Sequence, residues 1–195
     1  MSRKGRCERK TRETDIRVEL DLDGSGSTAV STGLPFFDHM LDLMFRHAFV
    51  DLDIEARGDL DVDGHHTAED TGIAIGKALT QALGDKRGIN RFGFSLVPMD
   101  ECLSEVALDI SGRPLLVYAV ELAQEPLGNF DPALARDFFA ALVNEAGLTL
   151  HITLKRAGGL HHGLESVFKA VGRAIKMAVE RDPRSDDIPS TKGTL

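Results

Sequence analysis

At 195 residues, with 42% hydrophobic composition and a formal net charge of −8, the chain can fill a sizeable core and is too acidic for broad binding to nucleic acid or an anionic membrane. It has no apolar run of the ~18 residues that a membrane span needs, and the charged start Ser2-Arg3-Lys4-Gly5-Arg6 precedes no apolar export segment. Cys7 and Cys102 lack CxxC spacing and suit a reducing, cytoplasmic compartment, where both read as bystanders.

Residues 1–12 are basic and polar and read as an arm. From Thr14 to Leu22 the alternation of Ile16, Val18, Leu20 and Leu22 with polar neighbours predicts a strand. The turn Asp23-Gly24-Ser25-Gly26 leads into a second strand near Thr28–Ser31, so the pair reads as a hairpin. Pro35 opens a helix over Phe36–Phe49, with Phe37, Met40, Leu41 and Met44 on one stripe and His39 between Asp38 and Asp42. Val50–Glu55 predicts a strand, 58–64 an acidic loop, and His65–Leu83 a long helix stopped by Gly84.

The second part of the chain follows the same plan. Phe92–Val97, Cys102–Ile110 and Leu115–Val120 predict strands, the last two joined by Ser111-Gly112-Arg113-Pro114. Asp131 and Pro132 are placed as cap and first residue of a helix to about Glu145. Leu148–Leu154 predicts a strand, Ala157–Leu160 a glycine loop, His161–Arg181 a helix, and the tail from Ile188 has no apolar period. The order of strands, helix, strand, loop and helix is therefore given twice, in 1–88 and in 89–195. That is too long a period for a solenoid, and predicts one compact duplicated α+β domain of two packed halves, each a two-layer α/β sandwich with its helices on one face of a small sheet.

The chemistry sits where the repeat is clearest. His65-His66-Thr67-Ala68-Glu69 and, ninety-six residues on, His161-His162-Gly163-Leu164-Glu165 each begin a predicted helix. At these offsets the glutamate shares a helix face with a histidine, while adjacent histidines diverge by about 100°, so one pair can serve two metals. His151, on an alternating strand, and His39 complete six imidazoles and two carboxylates. Two metals would each receive three histidines and one glutamate. Imidazole and carboxylate without thiolate suit Mn²⁺, Fe²⁺ or Zn²⁺.

These motifs, with Phe36-Phe37-Asp38-His39-Met40-Leu41, Gly58-Asp59-Leu60-Asp61-Val62-Asp63-Gly64, Arg91-Phe92-Gly93, Pro98-Met99-Asp100-Glu101, Leu108-Asp109-Ile110-Ser111-Gly112-Arg113-Pro114, Thr149-Leu150-His151 and Pro189-Ser190-Thr191-Lys192-Gly193, resemble imidazoleglycerol-phosphate dehydratase of histidine biosynthesis over nearly the whole chain. The family usually carries a Gly-x-Asn-x segment before its second histidine pair; here Ala157-Gly158-Gly159-Leu160 lacks the asparagine. The resemblance implies a duplicated fold like the second domain of ribosomal protein S5 and two Mn²⁺ per active site. It further implies a shell of about 24 subunits with sites shared between them, and a monofunctional form with no fused phosphatase domain.

It implies that the substrate, an imidazole ring bearing two hydroxylated carbons and a phosphate, loses water to give a ketone, imidazoleacetol phosphate. No carbonyl acidifies the C–H that breaks, so the ring must supply the electrons, through an imidazolate and a diazafulvene, with the metals as Lewis acids. By the same resemblance Glu13 is the candidate base. His39, His47, His65 and Glu69 would contact substrate, and Arg91, Arg113, Lys169, Ser190 and Lys192 would hold the phosphate. Two rival readings use the same residues. A binuclear metallohydrolase would want a bridging aspartate and an activated water, and a metal-stapled assembly module would need no phosphate cluster.

Overall fold

The structure, a computed structural model, describes Arg3–Leu195; Met1 and Ser2, the start of the expected arm, lie outside the described residues. Its first half comprises β1 (Lys4–Lys10), β2 (Thr14–Asp21), β3 (Thr28–Ser31), α1 (Pro35–Ala48), β4 (Asp51–Gly58) and α2 (His65–Leu83). The second comprises β5 (Phe92–Met99), β6 (Cys102–Asp109), β7 (Leu115–Ala119), α3 (Leu134–Ala146), β8 (Thr149–Arg156) and α4 (Leu160–Val179). The two four-stranded sheets have matching orders, β1-β2-β4-β3 and β5-β6-β8-β7. In each, only the last pair runs parallel.

Two expectations are corrected. The basic arm is a strand from Lys4 onward, paired along its length with β2. Its inward positions are Gly5, Cys7 and Arg9, so no apolar alternation marks it. Gly5 lies so close to α2 that a Cβ there would sit 1.8 Å from the Ala78 carbonyl oxygen, and Arg9 is neutralised by Asp70 at 2.8 Å. Nor do the second and third strands form a hairpin: β4 enters between them and β3 pairs parallel with it. The reason is at Asp51, whose Oδ1 accepts from the Ser25 and Ser27 N–H groups at 2.8 Å each, fastening the connecting loop to the start of β4.

Elsewhere boundaries shift by a turn or less. Pro35, with its φ already helical, opens α1, and Gly84 closes α2 at a positive φ of 54°. The Asp131-Pro132 start proves to be a separate turn, with Asp131 Oδ1 accepting from the Ala133 N–H at 2.9 Å, and α3 begins two residues later than placed.

Helices cover the inner face of each sheet, and the two helical layers face each other: α2 packs on α3 and α1 on α4. Each motif-bearing helix therefore lies against the first helix of the other half. Phe37, Phe130, Phe138, Phe139 and Phe168 meet in the middle, with ring centroids 4.8–5.7 Å apart in the closest pairs, and all five are fully buried. Each contributes roughly 1.5–3 kcal/mol through burial. The duplication is visible at backbone level. Gly93 approaches the Ala174 carbonyl of α4 as Gly5 approaches Ala78 of α2, and Gly172 backs onto Met44 of α1 as Gly76 backs onto Leu142 of α3.

Candidate metal centres and active site

The crossed packing brings α1 of one half to the α4 motif of the other. His39 Nε2 lies 3.7 Å and His161 Nε2 3.1 Å from Glu165 Oε2, and ligand atoms of all three residues fall within 4.8 Å of one another. Glu165 is nearly buried, which works against its charge. The Lys169 ammonium 2.5 Å from Oε1, with His39 and His161, outweighs that and holds the carboxyl below its ordinary value. An anionic carboxylate between two imidazoles is a donor set that suits a divalent cation, so the residues fit the implied metal. Cys102, buried nearby, has its thiol pushed up by burial and offers no thiolate.

The other half makes an altered copy. The residue as far before Leu142 as His39 is before Met44 is Asp137, which stands 3.2 Å from His65 Nδ1, while His65 Nε2 is 3.9 Å from Glu69 Oε2. An aspartate thus occupies the place of a histidine. The second members of the pairs face elsewhere, as their angular offset on the helix requires. His66 Nδ1 is 3.0 Å from Asp59 Oδ2, and His162 Nδ1 is 3.0 Å from Glu101 Oε2. Glu101 also accepts from the Gly159 N–H at 2.7 Å. That bond, then His162, lowers its pKa to about 2. In the loop that lacks the asparagine, the donor to Glu101 is thus the Gly159 backbone N–H.

His151 is in neither cluster. It projects from the outer face of its sheet, beside Ala107 on β6 and Val117 on β7. One chain thus brings together His39, His161 and Glu165, places His65 beside Glu69, and leaves His66, His162 and His151 apart.

The expected phosphate contacts divide. Arg91, in a left-handed conformation at φ 69°, donates to both Asp109 oxygens at 2.7 and 3.2 Å and to the Pro189 carbonyl at 2.9 Å, which holds the tail with Ser190 and Lys192 alongside. Arg113 Nη2 is 3.8 Å from Asp109 and largely exposed. Lys86, missed in the sequence, joins this basic corner; burial and then the charge of Arg91 lower its pKa. Lys169 is elsewhere, on Glu165. His47 lies near it, its pKa lowered by burial and then by Lys169 and Arg173. Glu13 closes the turn between β1 and β2, near enough to add to the effect of Asp59 in raising the pKa of His66.

Sequence reasoning also missed Asp59, Asp137 and Glu101 as histidine partners. Superposing the halves by their glycines would have set Asp137 opposite His39; no local signal distinguished Asp59 from its acidic neighbours.

The chain is similar to known proteins over its whole length. A family model described as imidazoleglycerol-phosphate dehydratase matches residues 32–175. The chain is 55% identical over 196 residues to the imidazoleglycerol-phosphate dehydratase of Ralstonia pickettii, and 51% identical over 195 residues to that of Geobacter metallireducens, with all of each chain covered. The crystal structure of the Staphylococcus aureus dehydratase superposes with a TM-score of 0.83 at 38% identity, covering 92% of this chain and 99% of that one. The Pyrococcus furiosus structure gives 0.83 at 32% identity, covering 97% and 100%.

Proposed function

Since the chain belongs to the imidazoleglycerol-phosphate dehydratase family, and is a hydro-lyase of histidine biosynthesis, we propose that it dehydrates imidazoleglycerol phosphate with two Mn²⁺ ions per site. The ligands in this reading are His39, His65, His66, Glu69, His151, His161, His162 and Glu165. The observation that carries it is the convergence of His39, His161 and Glu165 from two halves of the chain. When bound, the ions supply Lewis acidity and a template for the substrate's ring and hydroxyls.

The chain's own residues do the rest. Arg91 and Arg113, with Ser190 and Lys192 of the tail, bind the phosphate. Lys169, which the structure pairs with Glu165, belongs to the same phosphate set in this reading, and His47, its pKa lowered by its surroundings, contacts the substrate. Remote phosphate binding holds the two reacting carbons in place. Glu13 receives the proton from the carbon next to the one that loses its hydroxyl, once the substrate has passed to its diazafulvene; the enol so formed becomes the ketone. His39, His65 and Glu69 line the ring and hydroxyls.

Assembly belongs to this reading. His151 faces away from both motifs of its own chain, so it can complete a site only in a neighbouring copy. The surface around it is apolar: Phe94 is 69%, Leu96 60% and Leu115 52% exposed. We infer a closed shell of about 24 copies in which that face is buried. Within each copy residues 1–88 and 89–195 act as halves of one domain, a reading supported by their common core. No helix of the described residues is long and apolar enough to cross a membrane, and both cysteines are free. We place the enzyme in the cytoplasm.

The test is turnover of imidazoleglycerol phosphate with added Mn²⁺, beside a generic phosphoester. Dehydration of the first, abolished in His66→Ala and His162→Ala, is expected. Hydrolysis of the second would favour a metallohydrolase, and metal binding without turnover of either would leave an assembly module.

A further inference from the structure

We propose that Asp59 and Glu101 are positioning residues that fix the ring orientation and tautomer of His66 and His162, and that Asp59 thereby leaves Glu13 free for proton transfer. The inference rests on the reading of His66 and His162 as metal ligands. Each carboxylate meets Nδ1, with oxygens at 3.0 and 3.2 Å for Asp59 and at 3.0 and 3.3 Å for Glu101. An ionised carboxylate only accepts, so Nδ1 must carry the proton, and in the neutral imidazole that metal binding requires, Nε2 is left with a lone pair. That is the arrangement in which an outer carboxylate orients an imidazole and raises its basicity toward a metal.

What makes the contact more than a leftover of the duplication is its origin. Glu101 is the last residue of the turn before β6. The residue in that place in the first half, last before β2, is Glu13. A faithful copy would therefore have Glu13 on His66 Nδ1. Instead Asp59, from the connection between β4 and α2, takes that position, and the Glu13 carboxylate has no hydrogen bond or ion pair among the described residues, only its N–H being held, by Thr11 Oγ1 at 3.0 Å. The two turns thus have separate tasks. Glu101 is tied down by His162 and Gly159, whereas Glu13, next to the Thr14 that pairs with Gly58, lies alongside Asp59 and is untied.

Mn²⁺ binding to metal-free protein, measured by titration calorimetry at pH 7.5, tests this without reference to turnover. Asp59→Ala and Glu101→Ala should each weaken binding by about 10–100-fold. Glu101→Gln and Asp59→Asn, which keep an acceptor oxygen, should recover most of the loss, as a general disturbance of the fold would not. Glu13→Gln should bind Mn²⁺ like the wild type, as should Glu55→Gln on the outer face of the first sheet. Affinity within twofold of wild type in both alanine variants, while His66→Ala and His162→Ala lose metal, overturns the positioning role alone. A tenfold loss in Glu13→Gln overturns the division of tasks. If the histidine variants bind metal normally, the ligand assignment falls and the inference with it.

Discussion

The outer faces of the two sheets share one topology and carry opposite chemistry. Across the first sheet the row Arg6, Glu19, Asp53, Ala29 is mostly charged; across the second, the matching row is Phe94, Ala107, His151, Val117. The backbone packing of the inner faces did not diverge in this way. There a glycine on the first strand still meets an alanine carbonyl of the motif helix in both halves. Duplication has been held constant in these backbone contacts between strand and helix, because a close-packed interior resists change. The outside was free to take separate roles, one face solvated and one presenting a histidine within an apolar surround.

The largest expected effect attacks that difference directly. Phe94→Asp, placing a charge in the His151 row, should reduce the proposed particle of about 24 copies to small species in light scattering and lower turnover by roughly 100-fold or more. Glu19→Lys, in the matching row, should leave mass and turnover unchanged. A Phe94 variant of normal mass would mean that this face is not the contact between copies.

Next in size are the buried pairs that join strand to helix. Asp70 accepts from Thr14 at 2.5 Å and from Arg9, whereas the second half has Ser104 and Ser166 at 2.7 Å. In urea unfolding of the metal-free protein, Asp70→Ala should cost about 3 kcal/mol, since it strands a half-buried cation, and Ser166→Ala about 1 kcal/mol. Equal losses would erase the distinction. Where the halves agree, mutants should agree: Gly5→Ala and Gly93→Ala should each cost about 2 kcal/mol, because backbone on both sides must move. A harmless substitution at either would show that the strand can slide away.

The smallest effect is a pH slope. Burial, then Lys169 and Arg173, depress the His47 pKa, so the unfolded chain takes up that proton first as pH falls. The neutral imidazole's contribution is thus intact above the unfolded value of about 6.5 and is lost as pH drops through and below it, toward the depressed folded value. Metal-free wild type should lose more melting temperature between pH 7.5 and 5.5 than His47→Gln. Parallel losses would mean that His47 is not held neutral by the fold.

Much of this was legible in the chain. The motif helix over His65–Leu83 announces itself by apolar period and terminal glycine, and the repeat by its histidine pairs. The strand at Lys4–Lys10 did not, because its inward side chains are a glycine, a cysteine and a paired arginine, which have no hydrophobic alternation. The parallel pairing of β3 was hidden because it is fixed by Asp51, a residue beyond the helix that separates the strands. In the candidate site, the grouping of His161 with Glu165 was readable from spacing, but the carboxylates beside the other histidines were not. Asp59, Asp137 and Glu101 reach their histidines through tertiary packing, and only Glu101 and Asp137 occupy places that the repeat relates to other residues of interest.

The crossing of helices between halves, α2 on α3 and α1 on α4, bears on how such a chain could arise and fold. The aromatic cluster draws on both halves, so neither could bury it alone, and a chain of one half would have to find a second copy before its core closed. Joining the two replaces that encounter with an intramolecular one, at an effective concentration in the millimolar range for a short connection. Folding then no longer depends on how much protein the cell has made.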